Sequence, residues 1–333
     1  MGVLSWRGVI WLTLPRRTFP GSDFPAAFAP DYRARVAQVL SQDDWRARSL
    51  AHERRVDASV AAHIHRRDRG LKHPIDDFLF QYYPFKPSHL RVWHPGAGVV
   101  LDGAQERSDW AFYRVDDGGA SVDVPAFIER KGEVLELAHR LLSVTSERPM
   151  QLSCFGMHEW AMAYRTPADE VRHAQLPLRL GHAGTDDVVD SHDLRCTHFD
   201  AYRFFTPDAV PRNSAVLERD SQANFEQPGC LHAGMDLYKW AFKLSPLVPS
   251  ELVMDCFDLA REIRLLDMRA SPYDVTSLGH TPVAVETPEG KAEYVRQQRA
   301  FADRARPLRQ RLLAVLDVPA SLWCAPVRAI VES

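Results

Sequence analysis

Pro249-Ser250-Glu251-Leu252-Val253-Met254-Asp255-Cys256-Phe257-Asp258-Leu259-Ala260-Arg261-Glu262-Ile263-Arg264-Leu265-Leu266-Asp267-Met268-Arg269-Ala270 decides the fold. Leu252, Phe257, Ala260, Ile263 and Leu266 recur near a 3.6-residue period, so the run reads as the clearest amphipathic helix of the chain. Working outward, Leu231 to Leu244 reads as a helix before it. Pro288 to Leu316 reads as another after it, capped by Thr287 and kinked or divided by Pro307. Toward the N-terminus, Ser41 and Asp43 are plausible caps for a helix that runs to about Gly70. Pro74 opens a short helix stopped by Pro84, and Pro87 opens another that ends near His94-Pro95-Gly96. Pro125 opens a longer one to about Val144.

Strand signals are fewer. Trp110 to Val115 and Ser121 to Val124 flank Asp116-Asp117-Gly118-Gly119, a β-hairpin signature. Val99 to Gly103 reads as a strand and turn. Leu176, Leu178 and Leu180 alternate like a strand, and Leu194, Cys196, His198, Asp200, Tyr202 and Phe204 would share one strand face. The expected class is α+β: one α-rich globular domain over residues 39 to 333 with a small antiparallel sheet. Residues 1 to 38 carry an apolar run broken by Arg7 and a Pro- and Phe-rich stretch without periodicity. They read as a poorly ordered extension, consistent with an upstream start and outside any chemistry.

Composition narrows the function. The 333 residues are 45% hydrophobic and 26% charged with formal net charge −3, an ordinary globular mixture without a general attraction for phosphates. The basic stretches Arg46 to Arg69 and Arg296 to Arg311 contain acids and read as solvated helix faces. Five cysteines at wide spacing, with no Cys-x-x-Cys, exclude a zinc knuckle and a disulfide scaffold and fit reduced thiols in a cytoplasm. No segment is long and apolar enough for a membrane, and the N-terminal run has the wrong order for a secretory signal. Gly-x-Gly-x-x-Gly, a P-loop, a Gly-x-Ser-x-Gly elbow and the zinc-deaminase pattern are all missing. Pro95-Gly96-Ala97-Gly98 has the look of a helix-hairpin-helix turn, but a strand follows it where that module needs a helix.

What remains is a concentration of histidine and carboxylate. Among the histidines between Cys154 and Trp240 are His158, His182, His192, His198 and His232, interleaved with Glu159, Asp193, Asp200 and Asp236 in aromatic-rich runs. Buried imidazoles and carboxylates are costly unless paired, hydrogen-bonded or bound to metal. His232 and Asp236, four apart on a helix, project from one face and suit metal ligation or acid–base work. His198 and Asp200, two apart on a strand, would do the same. Adjacent His158 and Glu159 diverge, so one of the two is expected in a site; no histidine follows at the spacing of the helical zinc signature. His182 and His192 read as surface residues. Imidazole with carboxylate suits iron or zinc, so His158, His198, Asp200 and His232 are the candidate ligands for oxygen chemistry or hydrolysis. A polar cluster that serves only folding, in a non-enzymatic binding protein, is the alternative of another class.

Six stretches carry a resemblance: His73-Pro74-Ile75-Asp76-Asp77-Phe78-Leu79-Phe80, Trp93-His94-Pro95-Gly96-Ala97-Gly98-Val99, Cys154-Phe155-Gly156-Met157-His158-Glu159-Trp160-Ala161-Met162, Arg195-Cys196-Thr197-His198-Phe199-Asp200, Gln227 to Trp240, and Asp267-Met268-Arg269-Ala270-Ser271-Pro272-Tyr273-Asp274. In these the chain resembles an actinobacterial family labelled 3-methyladenine DNA glycosylase. The resemblance implies hydrolysis of the N-glycosidic bond of an alkylated purine, with damaged DNA, or a free small molecule, as partner. Asp236 or Glu159 would then be the catalytic carboxylate, and Trp160, Tyr238 and Trp240 would stack the base.

Overall fold

In the computed structural model, residues 38–167, 170–173 and 175–317 are described. The N-terminal extension apart from Gln38, and Cys324, lie outside them. In chain order the elements are β1 Gln38–Leu40, α1 Gln42–Asp68, α2 Phe78–Tyr82, α3 Pro87–Leu90, β2 Val99–Leu101, β3 Tyr113–Asp116, β4 Gly119–Val122, α4 Val124–Glu147, α5 Met157–Ala161, α6 Gly181–Asp190, α7 Phe199–Tyr202, α8 Gln222–Phe225, α9 Leu231–Lys243, α10 Ser250–Arg269 and α11 Pro288–Leu316. The fold is α+β and α-rich, as its periodicity predicts.

The long helices begin where the sequence places caps. The Ser41 hydroxyl accepts from Asp44 N at 3.2 Å, Asp123 Oδ1 from Ala126 N at 3.0 Å, and Thr287 Oγ1 from Gly290 N at 3.1 Å. Each satisfies one of the amides that a helix start leaves open. Pro307 neither divides nor ends α11, which is assigned as one helix through it.

α10 is the axis of the core. Leu252, Phe257, Leu259, Ala260, Ile263 and Leu266 are buried in it, and α9 packs along its length. α11 lies across α9 and α10 and reaches α4. Truncating one of these side chains, Phe257→Ala for example, should cost about 3–5 kcal/mol. The start of α10 is fastened to the loop before β2: Ser250 N donates to His94 O at 3.0 Å, and Ser250 Oγ accepts from His94 N at 2.8 Å. Gly96, at φ +89, lies so close to Pro249 that a Cβ would sit 3.0 Å from its ring.

The sheet has the order β1-β2-β4-β3. The β3–β4 hairpin and the β2–β4 pair are antiparallel, but β1 pairs with β2 in parallel, so the expected antiparallel sheet is mixed. Three residues, Gln38-Val39-Leu40, are too short to show alternation in sequence. Two other expected strands do not form. Leu178 makes a single bridge to Tyr273, and Leu194 one to Asn213. In place of a partner strand, the Asn213 side chain accepts from Cys196 N at 2.8 Å and donates to Cys196 O at 3.1 Å. One amide group thus does locally what a ladder would do, and the chain turns into α7 instead of continuing extended.

Candidate functional site

Four elements carry polar side chains into the space around α9 and α10. α5 is a single turn entered through Gly156, whose φ of +71 and whose contact with the Tyr294 ring leave no room for a side chain. This turn is buried on both sides, so His158 and Glu159 both reach polar partners; the expectation that one of them would enter is corrected. α9 supplies His232, Asp236 and Lys239, and α10 supplies Arg264 and Asp267. His198 stands at the N-terminal end of α7, followed by Asp200 in its first turn. The two therefore do not share a strand face, yet the turn keeps them together. Exposure is 3% for His158, 0% for His198, 5% for His232, 1% for Asp236 and 0% for Asp267.

The three imidazoles form a row. The His158 and His232 rings lie 4.4 Å apart edge to face, and His232 and His198 lie 5.3 Å apart stacked. At one end, His158 Nε2 is 2.7 Å from Asp267 Oδ1, while Arg264 Nη1 donates to Asp267 Oδ2 and to Glu159 Oε1, each at 2.6 Å. Arg264 Nη2 lies 3.3 Å from His173 Nε2, and its guanidinium stacks on Phe78 at 3.9 Å. His158, His232 and Asp267 each offer a ligand atom within 4.8 Å of the others.

At the other end, His198, Asp200 and Asp236 also bring ligand atoms within 4.8 Å of one another. His198 Nδ1 is 3.1 Å from Glu226 Oε1 and its Nε2 is 3.5 Å from Asp236 Oδ2, but neither pair is aligned as a hydrogen bond. Tyr83 Oη donates to Asp236 Oδ1 at 2.7 Å, and Lys239 contacts Asp236 Oδ2 and lies 3.4 Å from Asp200 Oδ2.

Electrostatics separates the imidazoles. Burial opposes a charge on His158, but the Asp267 carboxylate outweighs it and holds the pKa well above the ordinary value. His198 is likewise raised, because Glu226 and Asp236 overcome its burial. Between them His232 is driven well below the ordinary value, by burial and then by the charge on His158. His232 is thus a neutral imidazole with an available lone pair, the form that binds metal. Burial and Arg264 also bring His173 down to about 4. Asp200, against its own burial, is held at about 2 by Lys239 and the other cations.

The candidate ligands His158, His198, Asp200 and His232 therefore come together, but as two triads rather than one set, completed by Asp267 and by Asp236. Asp267, Arg264, Lys239 and Glu226 belong to this network although the sequence pattern does not single them out as candidates. The stacking candidates are placed differently from their expected role. Trp160 is fully buried with its indole N–H donating to Ala270 O at 2.8 Å. Tyr238 sits edge-on among Tyr83, Phe85 and Phe257, and Trp240 is buried beneath Lys239. These rings fill the core, and no face of Trp160 or Tyr238 is open to a base. His182 is exposed, and His192 bonds Val188 O at 2.6 Å, both outside the row.

Compared with known proteins, the chain matches no family model, no curated protein and no solved structure to a significant degree. Among the described residues no helix is long and apolar enough to cross a membrane.

Proposed function

We propose that the protein is a metal-dependent enzyme whose ion is held by His158, His232 and Asp267. The observation that carries this reading is the triad itself: His232, a buried imidazole held neutral, lies within ligand distance of a second imidazole and a carboxylate. Once the incoming ion displaces the proton that His158 shares with Asp267, two imidazoles and one carboxylate leave coordination positions open, and the set suits iron(II) or zinc. Bound there, such an ion would supply a Lewis-acid centre for dioxygen or for water. The chain's own groups set the surroundings. His158 and then Arg264 keep Asp267 ionised, Glu159 neutralises Arg264, and the Trp160 and Tyr294 rings help to exclude bulk water.

Elemental analysis of purified protein tests this reading. One equivalent of iron or zinc, lost in His158→Ala and in His232→Ala, is the expected result. Protein that stays metal-free even when refolded in the presence of either ion under reducing conditions overturns it.

The glycosylase expectation rests on the family resemblance. Asp236 is occupied by Tyr83 and Lys239, and Glu159 by Arg264, so neither carboxylate is poised over an open pocket. Release of free 3-methyladenine from methylated DNA by metal-free protein, abolished in Asp236→Asn, would establish that activity instead.

A further inference from the structure

The second triad differs from the first in what already sits inside it. His198, Asp200 and Asp236 surround a position that carboxylate and imidazole atoms reach from three sides. His198 is completely buried, and its ring nitrogens face Glu226 Oε1 at 3.1 Å and Asp236 Oδ2 at 3.5 Å without an aligned hydrogen bond to either, so the ring is not locked to one partner. The ammonium of Lys239 lies among these groups, on Asp236 Oδ2 and 3.4 Å from Asp200 Oδ2, with Trp240 4.7 Å away on its other side. Arg203 and Arg219 reach Asp200 from outside, at 3.3 and 3.5 Å, and only through Oδ1.

We propose that His198, Asp200 and Asp236 form a second divalent-cation site and that Lys239 fills it, so that the protein takes up one metal ion and not two. The proposal rests on the reading of the first triad only for the count of one; the second site stands on its own residues. Two carboxylates and an imidazole suit a hard or borderline dication such as Mn2+, Fe2+ or Co2+. An ammonium carries half its charge and brings three donors, which serves both carboxylates but cannot be ligated by His198 as a metal ion can. Removing Lys239 would strip the buried Asp236 and the partly buried Asp200 of the cation they share, leaving Asp200 only the outer Arg203 and Arg219, a state that a dication relieves.

The test is Co2+ uptake by protein refolded with the ion present, counted by elemental analysis after desalting and followed by visible absorption, in the wild-type protein, in Lys239→Met, and in Lys239→Gln, which keeps a donor to the carboxylates. One equivalent in the wild type and two in Lys239→Met are expected, with the second lost when His198→Ala is added. Lys239→Gln should bind the second ion more weakly than Lys239→Met. Equal counts in wild type and both Lys239 variants overturn the proposal, as do two equivalents in the wild type. No ion in the wild type but one in Lys239→Met would sustain the second site and sink the metal reading of the first. Thermal unfolding with and without Co2+ guards against a folding defect. The variants should melt lower than wild type without metal and recover with it, and a variant that stays unfolded in excess Co2+ also counts against the proposal.

Discussion

Two of the places where the molecule buries charge treat it in opposite ways. Near the sheet, Arg107 is only 3% exposed, yet its Nη1 donates to Trp93 O and to Tyr113 Oη, each at 3.1 Å, and Trp110 lies 3.7 Å over its guanidinium. No carboxylate takes part in these contacts, and no Arg107 nitrogen is left buried without a partner. Aromatic faces and a carbonyl hold the cation, as a structural charge requires. Around α9 and α10, by contrast, ions of both signs crowd together, while His198, Glu159 Oε2, Arg264 Nε and Tyr273 Oη remain without aligned hydrogen bonds. A closed, satisfied cage serves stability. A dense cluster that leaves lone pairs and donors free has capacity for a ligand.

Substitutions should separate the two regions. The largest effect is expected for Asp267→Ala, which strips the counter-charge from both His158 and Arg264. Chemical denaturation should show a loss of about 3–5 kcal/mol, together with loss of bound metal. Arg107→Met should cost about 2 kcal/mol by the same measurement and leave metal content unchanged. If it also emptied the metal site, the contrast between the regions would fail.

The cage has a pH signature of its own. Burial and the charge on Arg107 bring His94, which meets Tyr113 Oη at 3.0 Å, from the ordinary 6.5 down to about 3. The unfolded chain takes up a proton at His94 below pH 6.5, whereas the fold refuses it until about 3. Stability should therefore fall as pH drops through that window, and thermal melts of His94→Asn should show a flatter acid limb. The smallest effects are expected for His182→Ala and His192→Ala, within about 0.5 kcal/mol of wild type and with unchanged metal content.

Much of the helical frame was legible because apolar period and capping residues agree over Ser41, Asp123, Thr287 and the stripe from Leu252 to Leu266. The cluster was legible only in part. His232 and Asp236 do share a helix face, but four residues of rise send them to different triads, one toward Asp267 and one toward Asp200. Asp267 carried a signal that could have been used: it lies four residues after Ile263 and seven after Ala260, in phase with the buried stripe. Arg264 is equally in phase with Phe257 and Ala260. A charge on the apolar face of a helix has to be paired inside, and these two are paired with each other and with α5. The strand reading of Leu194 to Phe204 failed because alternation cannot reveal that a side-chain amide, Asn213, replaces the neighbouring strand. Lys239 gave no warning, since a lysine on a helix ordinarily points to water.

The sealing of the imidazole row has a kinetic consequence. With His158, His198 and His232 at 5% exposure or less, an ion can neither reach nor leave the first triad through the closed fold. Metallation would accompany folding, and a chelator would strip the protein only as fast as the chain opens. Apoprotein refolded first and offered metal afterwards should load far more slowly than chains refolded with the ion already present.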